Sequence, residues 1–100
     1  MQEISIKDFL KIDKNNLQVI DVREQYEYEN GNIDAINIPM DEILQSTNRI
    51  QRNKQVVIYC QSGRRAAAVV YMLKKEFNIE NVFNLSGGYT AYLELISNQS

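Results

Sequence analysis

The segment Val56-Val57-Ile58-Tyr59-Cys60 restricts the fold more than any other part of this chain. Five β-branched, aromatic or small apolar residues in a row, without polar alternation, describe a strand covered on both faces. Such strands lie inside parallel sheets, where crossover helices shield the two sides. A helical pattern follows after only three residues. Over Arg64–Phe77, Ala67, Val70, Tyr71 and residues 73–77 form an apolar side, while Lys74 and Lys75 suit the C-terminal dipole. Asn78 marks its end.

The rest of the chain repeats this alternation. Ser5 with Asp8 three residues later predicts a capped short helix carrying Phe9, Leu10 and Ile12, closed by a turn at Lys14-Asn15-Asn16. Residues 17–22 read as a strand ending near Asp21, and residues 24–29 as a short helix stopped by Asn30-Gly31. Residues 33–38 predict a strand ending at Pro39, and residues 41–44 another helical turn or two. Residues 82–85 read as the last strand, Gly87-Gly88 as a turn and residues 89–96 as a closing helix. The fold class is α/β: a small, mostly parallel central sheet flanked by helices on both faces. At 100 residues, 44% hydrophobic and 24% charged, one globular domain over 1–100 is expected.

Two counts decide which chemistry is open to it: one cysteine and no histidine. One cysteine forms no internal disulfide and no Cys-x-x-Cys switch. A zinc site of Cys and His within the chain is excluded, and every mechanism with imidazole as general base is closed. No metal and no cofactor is expected. A net charge of −2 supports neither a nucleic-acid nor a membrane-surface binder. The opening residues, Met1-Gln2-Glu3-Ile4-Ser5-Ile6-Lys7, lack the basic start and apolar run of a signal peptide. The longest near-continuous apolar stretch, residues 66–73, falls far short of the roughly 20 residues that span a bilayer. A cytoplasmic location is the default expectation.

The lone cysteine stands at the carboxyl end of the best strand, immediately before the best helix, where open α/β sheets bind ligands. Three features there favour thiolate over thiol. The helix N-terminus offers unpaired N–H groups and a positive dipole end. Gly63 lets the backbone curl so that several N–H groups converge into an anion nest. Arg64 and Arg65 add two permanent positive charges. Cysteine on an apolar strand is ordinarily a small buried hydrophobe. The run Cys60-Gln61-Ser62-Gly63-Arg64-Arg65 favours a nucleophile instead, with Gln61, Ser62, Gly63, Arg64 and Arg65 as the substrate-binding loop.

That segment resembles the active-site loop of the rhodanese-like sulfurtransferases, Cys-x-x-Gly-x-Arg followed by a small residue, here Cys60, Gly63, Arg65 and Ala66. Further pieces occur in the family's order: Asp21-Val22-Arg23, then Gly31, Ile36-Asn37-Ile38-Pro39, and Leu85-Ser86-Gly87-Gly88-Tyr89. Many members carry Gly-His-Ile, one residue, then Gly-Ala before the Ile-Asn-Ile-Pro element. This chain has Gly31-Asn32-Ile33-Asp34-Ala35, with asparagine for histidine and one residue fewer. The resemblance implies that Cys60 takes sulfur from a small anionic donor such as thiosulfate and holds it as a persulfide. A thiol or cyanide then accepts it, with protein persulfides as further partners.

Two other readings are open to the same loop. Phosphatases and arsenate reductases with a similar cysteine loop place arginine six positions after cysteine, where this chain has Ala66; arginine stands at the fifth, Arg65. The third reading is a non-catalytic binding or regulatory module on the same fold. Asp21 and Arg23 are expected to form a structural ion pair, and Gly87-Gly88 to let a loop pass near the site. Tyr26 and Tyr28 are expected to cover a helix face with hydroxyls in water. Glu24, Glu27 and Glu29 read as a solvated face.

Overall fold

Strand β4, Gln55–Tyr59, is the middle of a five-stranded sheet in the computed structural model of the protein, which describes residues 2–98. Met1 and positions 99 and 100, the ends of the expected 1–100 domain, lie outside the described residues. The other strands are β1 (Glu3–Ile4), β2 (Leu17–Asp21), β3 (Ile36–Asn37) and β5 (Val82–Leu85). Their order is β1-β5-β4-β2-β3, and every pairing is parallel. The helices are α1 (Ile6–Phe9), α2 (Gln25–Glu29), α3 (Met40–Ile43), α4 (Arg64–Phe77) and α5 (Gly88–Ser97).

Strand alternation divides the core between the two faces. Val56, Ile58 and Cys60 pack with Ile20, Val82, Ile43 of α3, and Val69, Val70 and Leu73 of α4. Val57 and Tyr59 pack on the opposite side with Ile6 and Phe9 of α1, Leu85, and Tyr89, Tyr92 and Leu95 of α5. Residues 56–59 are completely buried. At about 1.5–3 kcal/mol for each large apolar side chain removed from water, β4 is strongly anchored, and Cys60 follows it directly.

Local signals explain most boundaries. The Asp8 N–H donates to Ser5 Oγ (3.1 Å), capping α1. Asn78 ends α4 in the left-handed region (φ 54°), and the Ile79 N–H returns to the Leu73 carbonyl (3.1 Å). Three expectations need correction. The edge strand β1 was not anticipated, because two residues carry no readable period. The strand expected over 33–38 shrinks to Ile36–Asn37. Asn32 explains this: its side chain bonds the Tyr28 carbonyl (3.3 Å) and accepts from the Ala35 N–H (3.2 Å), and Asp34 turns to φ 49°. Tyr28 does not hold its hydroxyl in water; it donates to the Ala35 carbonyl at 2.6 Å and fastens α2 to that turn. No helix among the described residues is long and apolar enough to cross a membrane.

Candidate active site

Cys60 lies past the carboxyl end of β4 and before the first turn of α4. Its side chain takes the α4 face of the sheet, and the residue is 1% exposed. Two backbone donors reach the sulfur: Gly63 N–H at 3.1 Å and Ala66 N–H at 3.3 Å. Donors aimed at one atom at a helix N-terminus stabilise negative charge there. Gly63 makes the curl possible, since its φ of 100° is a conformation that side chains resist. Behind the loop, Gly88 comes so close that a Cβ on it would collide with the Cys60 carbonyl oxygen. The expectation that Gly87-Gly88 lets a second loop pass near the site agrees with this geometry.

The sequence-predicted loop residues fall into different surroundings. Ser62 is exposed, and Gly63 is buried. The Gln61 side chain is held at both ends: its Oε1 accepts from Arg23 Nη1 (3.0 Å), and its Nε2 donates to Thr90 Oγ1 (2.9 Å). Arg64 is exposed and makes no ion pair among the described residues. Arg65 is engaged elsewhere, in a two-pronged bond with Glu27 at 3.0 Å on each arm. Glu27 is therefore not part of a solvated face. The hydrogen bond from Arg65 holds its carboxyl below the usual glutamate range, and the same bond raises Arg65.

A buried network supports the loop from the α5 face. Arg23, 2% exposed, grips fully buried Asp21 through Nε and Nη2, the latter at 2.8 Å from Oδ2. Its Nη2 also donates to the Gly31 carbonyl (2.6 Å), and the guanidinium lies 4.5 Å from the Tyr89 ring centre and 5.5 Å from that of Tyr59. Burial opposes the Arg23 charge, but its bonds to Asp21 outweigh this and raise the group above its usual range. Burial likewise pushes the Tyr59 phenol far up, and its oxygen accepts from the Ile33 N–H (3.0 Å). The expected Asp21–Arg23 ion pair is present. What sequence reasoning missed is that Arg23 reaches Gln61, 38 residues away, and that Glu27 binds Arg65. Thr90 and Asn84 were missed as well, and no local spacing announces such pairs.

The sequence matches the rhodanese-like domain over residues 7–95. It is 35% identical over 89 residues to the putative sulfur carrier protein YrkF of Bacillus subtilis, covering 86% of this chain and 48% of that one. The chain thus spans about half the length of that relative. It is 34% identical over 82 residues to a sulfurtransferase of Allochromatium vinosum, covering 80% of this chain and 75% of that one. Its fold superposes on a rhodanese-related protein of Thermoplasma volcanium with a TM-score of 0.84 at 29% identity, covering 95% and 93% of the two chains.

Proposed function

Since the chain belongs to the rhodanese-like domain family, we propose that it is a sulfurtransferase working through a persulfide on Cys60. The observation that carries the reading is the pair of Gly63 and Ala66 N–H groups directed at Cys60 Sγ within an intact loop of 60–65. The Cys60 thiolate attacks the outer sulfur of thiosulfate. A Cys60 S–S bond forms, the bond to the sulfonate sulfur breaks, and its electron pair leaves with sulfite. Cyanide or a thiolate then attacks the terminal sulfur, and the Cys60 thiolate departs with the bonding pair. Starting from the thiolate, neither step removes a proton, which suits a chain without histidine.

Arg64, exposed and without an ion pair among the described residues, draws in the anionic donor, while Arg65 is occupied by Glu27. The same engagement weighs against phosphoryl chemistry, which needs a guanidinium clamped on the oxyanion. The relative named a sulfur carrier supports protein persulfides and thiols as partners beside thiosulfate. The test is production of thiocyanate from thiosulfate and cyanide, with the mass of intact protein read after donor alone. Gain of one sulfur, absent in Cys60→Ser, is expected. Hydrolysis of phosphatase substrates, or no persulfide from any donor, overturns the reading.

A further inference from the structure

Three of the carbonyls that shape the loop around Cys60 are held from outside that loop. The Tyr89 N–H donates to the Cys60 carbonyl (2.9 Å) and the Thr90 N–H to the Gln61 carbonyl (3.0 Å). The Gly63 carbonyl accepts from the Ala67 N–H (3.0 Å) and from Asn84 Nδ2 (3.2 Å). None of the described peptide bonds is cis, and in a trans peptide the carbonyl and the following N–H point in opposite directions. Fixing these three carbonyls therefore turns the N–H groups of Gln61, Ser62 and Arg64 the other way. Those three amides make no backbone hydrogen bond among the described residues, whereas Gly63 and Ala66 donate to the sulfur.

Only one of the four external donors belongs to a side chain. Asn84 sits on β5 opposite Ile58 of β4, is 2% exposed, and faces the same side of the sheet as Val82. A branched apolar residue would suit that place better on packing grounds. Moreover, its Oδ1 is buried without a hydrogen-bond partner among the described residues. A buried orphan acceptor is unfavourable, and its presence in a native fold calls for an explanation. We propose that Asn84 is a positioning residue: through the Gly63 carbonyl it turns the Arg64 N–H toward the charge carried by sulfur on Cys60. This rests on the sulfurtransferase reading.

The variant Asn84→Leu removes both the donor and the orphan acceptor, and leaves the Gly63 carbonyl its bond from Ala67. The expected result is a Tm equal to or above that of the parent chain, with the Arg64 amide resonance displaced and the sheet's resonances unmoved. The single-turnover rate of persulfide formation from thiosulfate falls about tenfold, through a misaligned charge-stabilising donor. The thiosulfate KM changes by less than about twofold, because the interaction lost is made in the charged state. Asn84→Ala, which cannot clash, is read in the same way if the leucine variant does not fold. An unmoved Arg64 resonance, an unchanged rate, or a rate and Tm that fall together in both variants overturns the proposal. Absence of persulfide on the parent chain overturns the sulfurtransferase reading separately, since the Arg64 resonance is measured without any sulfur donor.

Discussion

Arg65 and Glu27 are joined at two points, Nη1 to Oε1 and Nη2 to Oε2, each 3.0 Å, across 38 positions of sequence. The pair ties α2 to the first turn of α4, beside the loop that holds Cys60. Because the hydrogen bond from Arg65 lowers the pKa of Glu27 below the usual 4.5, the carboxylate stabilises the fold fully above that value. The contribution is lost as pH falls through the lower folded value. Glu27→Gln is therefore expected to be less stable at pH 7 by about 0.5–1 kcal/mol, with solvent at Arg65 keeping the figure small. Urea unfolding should show that difference closing as pH falls below the usual glutamate range, where the parent chain also loses the pair.

Arg64 and Arg65, adjacent in sequence, should separate in experiment. Arg64→Ala is expected to raise the thiosulfate KM by roughly three- to tenfold with little change in Tm, and to flatten the dependence of rate on salt. Arg65→Ala should lower Tm and leave the salt dependence in place, because its charge is engaged by Glu27. Initial rates at several ionic strengths, with thermal melts, check both.

Removing Arg23 leaves the Asp21 carboxylate fully buried beside an apolar neighbour. Arg23→Met is expected to cost about 3–5 kcal/mol, read by denaturant unfolding. Any folded fraction should also transfer sulfur more slowly, since the Gln61 side chain loses one of its two anchors.

Gly88→Ala adds a methyl group where the Cys60 carbonyl oxygen already lies, at a residue with φ 62°. The left-handed backbone alone costs about 1 kcal/mol for alanine. Relief of the collision has to displace the Cys60 loop, so persulfide formation should fall at least about tenfold while the far-ultraviolet spectrum stays close to that of the parent chain. An unchanged rate would show that the loop tolerates displacement.

Residues 64–77 and 17–21 could be read as elements because each has a clear signal: a 3.6-residue apolar stripe with an Asn stop, and a short β-branched run. The nucleophile and its loop were legible for the same reason, since a turn from strand to helix is a local event. Strand β1 was not, because it is a strand only by pairing with β5, and β3 lost residues to a turn organised by the Asn32 side chain.

The sequence alone determined a parallel α/β architecture, a single thiol without imidazole, and a glycine-bent loop that surrounds that thiol with amides. Tertiary structure decided which of the two loop arginines is engaged. It engaged Arg65 with Glu27, drew Gln61 between Arg23 and Thr90, and set Asn84 behind Gly63. The division has a physical cause. Backbone curvature and helix polarity are settled by neighbours in sequence. The partner of a charge or an amide is settled by which strand ends the sheet brings together.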